Sequence, residues 1–266
     1  MKIVIFTSNG IRHKYLANTL SECVDDTLVI CEHHENNPTN GKNDEVLSPI
    51  NEHFHLRTLT EKEVFSGNDS FRSNNVLDLM YKEASSQHTY EIVKEFNPDL
   101  MIVFGSSIIK EPLLSLKQNR FINLHLGLSP YYRGSGTNFW PFVNKELEYV
   151  GSTILHLDPG IDTGDIITHV TPNFQVGDNV HTVGCKVIKE SVNVMKKILV
   201  MVKQGKELKR VKQWDVPDSK YYRNRDFNEA VLKTYKQNLE NSLIENYLSS
   251  SKKQLKLITI DNEHST

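Results

Sequence analysis

Three side chains in this sequence could together stabilise a reacting carbonyl group: Asn123, His125 and Asp162. Asn123 and His125 are two residues apart at the end of an apolar run, so on a β-strand both side chains emerge on the same face. An amide N–H beside an imidazole can stabilise the negative charge of an oxyanion. A nearby carboxylate could orient the imidazole and stabilise its protonated form. These residue types therefore indicate acyl-type transfer without a covalent nucleophile.

The same residues also allow a purely structural interpretation. Asn and His at a strand end can cap loops, and an aspartate in the segment DPGIDTGD can close a turn. That segment offers three carboxylates, those of Asp158, Asp162 and Asp165. The sequence has no cysteine close to Asn123 or Asp162 and no Gly-x-Ser-x-Gly elbow, so neither usual nucleophile is indicated. Spacing alone leaves the catalytic and the structural interpretation open.

Buried strands must bring such side chains to one edge of a sheet. Near-continuous apolar runs predict strands at Lys2–Phe6, Thr27–Cys31, Asp99–Phe104 and Phe121–His125. Turns and helical segments alternate with these strands, which predicts an α/β protein with a doubly wound, mostly parallel sheet. Ligands of open α/β sheets bind beyond the carboxyl ends of the strands. Polar clusters lie at three such ends: Ser8–Gly10, Gly105–Ser107 and Asn123–His125.

The other elements follow from hydrophobic periodicity and capping signals. Helices are predicted at Arg12–Leu20, Thr60–Phe65 with Thr60 as N-cap, Asn75–Phe96, Ile108–Leu116, Asn138–Asn144, from an Asp178 N-cap to about Gly205, and Asn228–Leu248. Strands are predicted at Gly151–Leu157 and Ile166–Val170. The stretch from Glu32 to Asn75 otherwise reads as irregular. Composition changes after Gly205, which predicts a domain at 1–204 and a small C-terminal appendage at 205–266.

Composition excludes several classes of protein. The 266 residues carry a formal net charge of −2, whereas nucleic-acid binders usually show a basic excess. Three widely spaced cysteines indicate neither a disulfide framework nor a zinc site, and the spacing of His33, His34, His53 and His55 matches no established metal site. No secretory leader and no apolar run long enough for a membrane helix is found. We therefore expect a cytoplasmic protein that binds no metal, nucleic acid or membrane.

Two stretches, FINLHLGLSPYYRGSGTNFW and GSTILHLDPGIDTGDII, closely resemble the signature of the 10-formyltetrahydrofolate-dependent formyltransferases. The shared pattern is Asn-x-His at a strand end, a Pro-x-x-Arg-Gly loop at Pro130–Gly134, and the loop Gly160–Gly164. The match covers residues 95–170 well and 1–205 in outline. The family includes methionyl-tRNA formyltransferase, glycinamide ribonucleotide transformylase and the sugar N-formyltransferases.

The resemblance implies a Rossmann-like formyltransferase fold, 10-formyltetrahydrofolate as co-substrate, and direct attack of an amine on the formyl carbon. His125 and Asn123 would stabilise the oxyanion, and Asp162 would hold His125 and help to relay a proton. The folate would lie along a group of residues near two strand ends: Phe104, Gly105, Ser106, Ile108, Asp158, Gly160 and Ile161.

The acceptor amine is predicted from a second group of residues. Ser8, Asn9 and Gly10 precede a helix N-terminus, which is suited to an anion, and Arg12 and His13 add donors for phosphate oxygens. The stretch from Tyr131 to Trp140, which we call the aromatic loop, adds three predicted substrate contacts: Tyr132, Arg133 and Gly134. Tyr131 and Trp140 are also available for stacking. The structural alternative for Arg12 and His13 is a solvated first helical turn. The structural alternative for the aromatic residues is packing in the core.

The SNGIRH opening looks most like the sugar N-formyltransferases of the GDP-perosamine type. The resemblance thus implies a dTDP- or GDP-linked 4-amino-dideoxyhexose as acceptor, in the synthesis of O-antigen or another surface polysaccharide. Formylation of methionyl-tRNA or of glycinamide ribonucleotide is the alternative. The appendage at 205–266, with its aromatic residues and its helix, is expected to contribute to a homodimer or to the substrate site.

Overall fold

The computed structural model describes residues 1–33, 48–117 and 119–260. Its strands are β1 (Lys2–Ser8), β2 (Asp26–His33), β3 (Asn75–Met80), β4 (Leu100–Phe104), β5 (Phe121–His125), β6 (Tyr132–Gly134), β7 (Ser152–His156), β8 (Ile166–Val170) and β9 (Lys220–Tyr222). Its helices are α1 (Ile11–Ser21), α2 (Pro49–Val64), α3 (Gln87–Phe96), α4 (Trp140–Asn144), α5 (Val180–Lys203), α6 (Glu229–Glu240) and α7 (Leu243–Ser249).

A seven-stranded sheet in the order β3-β2-β1-β4-β5-β7-β8 forms the centre of the fold. The strands from β3 to β5 pair in parallel, and β7 and β8 add antiparallel pairs at one side. Alternate residues of β1 point to opposite faces: Ile3 and Ile5 pack with α1 and α5, and Val4 and Phe6 pack with α3. Helices thus cover both faces of the sheet, and the predicted α/β, mostly parallel architecture is confirmed.

The prediction of one helix over Asn75–Phe96 is wrong in its first part. Residues 75–80 form β3, which pairs in parallel with β2 at the edge of the sheet. Only the second part is helical, and Ser86 caps it by accepting a hydrogen bond from Thr89 N at 3.2 Å. The apolar residues of an exposed edge strand can mimic helical spacing over so short a stretch, and tertiary pairing decides between the two.

The helix predicted at Thr60–Phe65 is also wrong in extent. Helix α2 begins eleven residues earlier, at Pro49, where Ser48 accepts a hydrogen bond from Asn51 N at 3.3 Å. Thr60 is therefore not a cap, and its hydroxyl donates to Leu56 O at 2.9 Å inside the helix. The Ser-Pro pair is the true start signal, because proline is well tolerated at the first helical position. Residues 34–47, including His34, lie outside the described residues.

Three smaller corrections concern helix ends. Residues 108–116 form turns instead of a helix, since Pro112 has no N–H to donate and restricts the residue before it. Helix α5 is capped by Asn179 instead of Asp178, with Asn179 Oδ1 accepting from His181 N at 2.8 Å. The helix predicted at 228–248 is broken into α6 and α7, because Ser242 adopts a left-handed φ of 57°.

The C-terminal region packs onto the central part of the chain. Strand β9 pairs in parallel with β6, and α6 shares a hydrophobic cluster with α4 and with the start of α5. Residues on both sides of the predicted boundary at 204/205 therefore contribute to one core. Within the described residues no helix is both long and apolar enough to cross a membrane.

Asn238 is expected to anchor this region. Its side chain is buried in α6 and donates to Phe142 O and Val143 O, both at 2.9 Å. Replacing Asn238 with alanine should lower the free energy of unfolding by about 1–3 kcal/mol, because two buried carbonyls lose their partner. Urea unfolding of Asn238→Ala measures this loss. Gln237→Ala, at an exposed position of the same helix, should change stability by less than about 0.5 kcal/mol.

Candidate active site

The fold places Asn123 and His125 where the direction of the strands changes. Both lie on β5, which pairs in parallel with β4 and antiparallel with β7. Their side chains share one face of the strand at its carboxyl end, as the spacing predicts. His125 is buried, at 8% relative exposure, so water competes little with any group that contacts the ring.

Asp162 joins this pair from the loop between β7 and β8. One carboxylate oxygen lies 3.3 Å from His125 Nδ1, and the other accepts from Asn123 Nδ2 at 3.4 Å. Asp162 adopts a left-handed backbone with φ 54°, a region that aspartate tolerates better than most residues. The structure therefore brings together the three residues that the sequence singled out, with a hydrogen bond from Asn123 to Asp162 and His125 Nδ1 close to the same carboxylate.

The loop that carries Asp162 is held by contacts that the sequence gave no reason to expect. Gln213, from the C-terminal region, donates to Asp162 O at 2.7 Å and to Gly164 O at 3.0 Å. Within the loop, Thr163 Oγ1 donates to the Asp158 carboxylate at 2.8 Å. No local signal identifies Gln213, because its role depends on the chain returning to β8, where Val211 forms a bridge with Ile166.

The second nitrogen of His125 faces the aromatic loop. His125 Nε2 lies 3.4 Å from Tyr132 O, so a protonated ring has an acceptor on each side. The chain passes very close to the ring here: a Cβ atom added to Gly127 would lie 2.6 Å from His125 Nε2. Asn123 can direct an amide N–H toward a developing oxyanion, and His125 can do so if its Nε2–H exchanges the long contact with Tyr132 O for that oxyanion, while Asp162 supports the imidazolium.

A cavity of about 1050 Å³ opens beside these three side chains. It is of the size of a large small-molecule site. Its walls come from helices α1, α2 and α5, from the ends of β4 and β5, from the loop before α4, and from the region around β9. The residues that carry its chemistry and shape include Arg12, His53, Arg57, Ser106, Asn123, His125, Trp140, Asp162, His181, Tyr222 and Phe227.

Four of the seven predicted folate contacts line this cavity: Phe104, Gly105, Ser106 and Ile161. The other three do not belong to its lining residues. Ile108 is exposed, and Asp158 accepts hydrogen bonds from Gly160 N and Thr163 Oγ1 within its own loop.

Glu32 fixes the loop after β4, where three of the predicted folate contacts lie. Its carboxylate is fully buried and accepts from Ser107 N at 2.6 Å and from Ser107 Oγ at 2.8 Å. Sequence reasoning missed this residue, although an acidic residue at the end of a buried strand was a usable signal.

Of the predicted phosphate contacts, Arg12 and His13 line the cavity, whereas Ser8, Asn9 and Gly10 do not. Ser8 lies behind His13, with its Oγ 3.1 Å from His13 Nδ1. Asn9 donates to His33 Nδ1 at 3.1 Å, and Gly10 occupies the N-cap position of α1. The opening motif therefore positions His13 against Phe104, with 4.8 Å between the ring centroids.

The aromatic loop contributes less directly than its sequence suggests. Gly134 lines the cavity, whereas Tyr132 is buried and its hydroxyl donates to Glu146. Arg133 lies on β6 and is not among the lining residues. The aromatic residues that line the cavity here are instead Trp140, which is buried, and Tyr222, and their rings are stacked with centroids 4.0 Å apart and planes within 7°.

Comparison with known proteins places the chain in a family. Residues 1–199 match the sequence model of the formyl transferase family. The chain therefore belongs to the formyl transferase family, which confirms the resemblance at the level of the family. Methionyl-tRNA formyltransferase of Clostridium beijerinckii is 34% identical over 152 residues, which are 53% of this chain and 47% of the relative. The aligned stretch covers less than half the length of the first curated relatives.

Solved structures show the same fold at low identity. An N-formyltransferase from Helicobacter canadensis, in complex with folinic acid and dTDP-3-aminofucose, has a TM-score of 0.57 at 15% identity and covers 90% of this chain and 80% of that one. A phosphoribosylglycinamide formyltransferase from Anaplasma phagocytophilum has a TM-score of 0.54 at 17% identity, over 84% of this chain and 98% of that one. These likenesses confirm the predicted fold.

Proposed function

We propose that the chain transfers a formyl group from 10-formyltetrahydrofolate to the amine of a nucleotide-linked amino sugar, a dTDP- or GDP-linked 4-amino-dideoxyhexose. The observation that carries this proposal is the close association of Asn123 and His125 with the Asp162 carboxylate on the wall of one large cavity. The product would serve the synthesis of a surface polysaccharide such as O-antigen.

The residues present fit the co-substrate. Phe104, Gly105 and Ile161 give the cavity apolar and backbone surfaces beside the three polar side chains, as a flat heteroaromatic ring requires. The co-substrate supplies the formyl group that is transferred. Asn123 Nδ2 and protonated His125 donate to the formyl oxygen as it gains negative charge when the amine attacks. Asp162 would stabilise the imidazolium and help to move the proton from the attacking amine to the folate nitrogen, whose bond to the formyl carbon breaks as the new bond to the amine forms.

The geometry of the cavity favours a small-molecule acceptor. The region after β8 encloses the space with Tyr221, Tyr222, Arg223 and Phe227, so that its volume is about 1050 Å³. Trp140 and Tyr222 add a stacked aromatic wall, and aromatic surfaces suit a nucleobase. The N-formyltransferase from Helicobacter canadensis, solved in complex with dTDP-3-aminofucose, supports a nucleotide-linked amino sugar as the class of acceptor.

A panel of acceptors tests the proposal. The purified chain is incubated with 10-formyltetrahydrofolate and with dTDP- or GDP-linked 4-amino-dideoxyhexoses, methionyl-tRNA or glycinamide ribonucleotide, and products are weighed by mass spectrometry. We expect one formyl group to be added to a nucleotide sugar, and none when Asn123→Ala replaces the wild type. Formylation of none of the sugars would refute the choice of acceptor.

Methionyl-tRNA is the second candidate acceptor. The observation in its favour is that the first curated relatives are methionyl-tRNA formyltransferases, at about 30% identity. A net charge of −2 argues against it, because binding of a polyanion draws mostly on lysine and arginine contacts. Formylated methionyl-tRNA without formylated sugar in the same panel would favour this second acceptor.

A further inference from the structure

Four nitrogen-bearing side chains from three helices meet on one wall of the cavity. Arg12 comes from α1, His53 and Arg57 from α2, and His181 from the start of α5. The rings of His53 and His181 are 4.6 Å apart between centroids. All four residues line the cavity that also holds His125 and Asp162. We call these four residues the basic wall.

The basic wall carries one more positive charge than its carboxylate can balance. Among the described residues that line the cavity, Glu61 is the acidic residue that pairs with this wall: it forms an ion pair with Arg12 and lies 3.8 Å from Arg57 Nε. Among the described residues that line the cavity the other carboxylate is Asp162, which is engaged with His125. Two guanidinium groups therefore share one carboxylate, which leaves the wall with a net positive charge that a bound anion would balance.

The two histidines are kept neutral in a largely apolar setting. Burial, followed by the charges of Arg57 and Lys236, lowers the pKa of His53 to about 4. Burial, followed by His53, Arg57 and Arg12, lowers the pKa of His181 to about 3. The ring of His53 packs edge-on against Phe139 at 5.5 Å. Each neutral imidazole keeps one N–H donor, so the wall offers guanidinium and imidazole donors toward the same space.

We propose that the basic wall of Arg12, Arg57, His53 and His181 binds the diphosphate of the acceptor substrate. This proposal rests on the proposed function, since it assigns the anionic part of the nucleotide sugar. A guanidinium presents a fixed fork of donors that matches phosphate oxygens. The charge excess of the wall and its four donor side chains fit a diphosphate better than a neutral group.

The basic wall replaces the anion site expected at the start of α1. There the side chains of Ser8 and Asn9 are occupied by His13 and His33, and neither residue lines the cavity. Arg12 is the one residue that the two sites share. The carboxylates of a folate are the competing anions, but the surfaces that fit the folate ring are Phe104 at the end of β4 and Ile161 in the loop between β7 and β8, and not residues of α2 or α5.

Calorimetric titration with dTDP-glucose and GDP-mannose tests the assignment. These probes carry a diphosphate diester that does not titrate near neutral pH. Arg57→Met should raise their Kd about 10–100-fold, because hydrogen bonds to a charged group contribute about 1.5–3 kcal/mol. The Kd of tetrahydrofolate should stay unchanged. Arg72→Met is the matched control, since Arg72 pairs with Glu22 at an exposed site outside the cavity and should leave both Kd values unchanged.

Two further variants guard against a folding defect. Arg57→Lys keeps the charge and loses the fork, so it should bind the nucleotide hexoses with intermediate Kd. His181→Gln keeps a donor but cannot take up a proton. In the wild type a bound dianion raises the pKa of both histidines, which also face Arg12, Arg57, Glu61, Tyr235 and Lys236. Binding should therefore tighten as the pH falls from about 6 toward 4, between the raised pKa of the bound state and the low pKa of the free protein, and this slope should weaken in His181→Gln.

The outcomes separate the two proposals. Unchanged Kd for the nucleotide hexoses in Arg57→Met, or weaker binding of tetrahydrofolate alone, overturns the basic wall as the diphosphate site while the proposed function stands. If the wild type binds tetrahydrofolate but neither nucleotide hexose, the nucleotide-sugar acceptor itself fails.

Discussion

Replacing His125 with alanine is expected to lower kcat of formyl transfer about 10²–10⁴-fold. The variant loses the ring that lies 3.3 Å from Asp162 and can both donate to the formyl oxygen and carry a proton. Burial of His125 strengthens this effect, because water cannot easily replace the lost donor. Steady-state kinetics with the acceptor identified in the panel measures kcat. His88→Ala, an exposed position on α3, serves as the matched histidine control.

The partner of His125 provides an internal check. Asp162→Asn should lower kcat as well, since an amide cannot stabilise an imidazolium as a carboxylate does. The double variant should be little worse than His125→Ala alone, because residues that act as one unit show non-additive effects. Turnover within a factor of about two of wild type in His125→Ala would contradict the assigned mechanism.

Gly164→Ala is expected to have the second largest effect. A Cβ atom at Gly164 would lie 1.8 Å from His156 O, and this neighbour is backbone that cannot swing away. The loop must therefore shift, at a cost of at least about 2 kcal/mol in the free energy of unfolding. Asp162 is two residues away on the same loop, so kcat should also fall about 10²-fold through its displacement from His125.

Urea unfolding and steady-state kinetics of Gly164→Ala measure the two effects. Gly184→Ala is the control for stability: a Cβ atom there meets nothing within 4 Å, and alanine in the middle of α5 should stabilise the helix by about 0.5–1 kcal/mol. A Gly164→Ala protein with wild-type stability and kcat would show that the loop adapts without moving Asp162, contrary to this expectation.

Much of the sheet was predictable because the sequences of its central strands are unusually apolar. The runs at Lys2–Phe6 and Asp99–Phe104 are continuously apolar, and only strands covered on both faces need such runs. The edge strand β3 was not predictable, since one side of it lacks a partner strand and its mixture of apolar and polar residues is compatible with a helix. The first part of helix α2 was missed because its start is marked by two residues, Ser48 and Pro49, beyond an irregular stretch.

The candidate site also contains some residues that a local rule could place and others that only the fold brings together. Asn123 and His125 are neighbours on one strand, so a local rule was sufficient to place their side chains together. Asp162 was predicted from resemblance, and its contact with His125 depends on how the loop between β7 and β8 folds back. The basic wall had no signal in sequence beyond Arg12, because His53, Arg57 and His181 come from helices far apart along the chain.

By itself, the sequence determined the buried strands, the alternation of strands and helices, and the residue types at the carboxyl ends of β4 and β5. These features follow from local periodicity and from the hydrophobic effect on short segments. Only the tertiary structure decided which distant groups meet: Gln213 with the Asp162 loop, Trp140 with Tyr222, and His53 of α2 with His181 of α5. Such contacts depend on the packing of whole elements, and no local pattern encodes that packing.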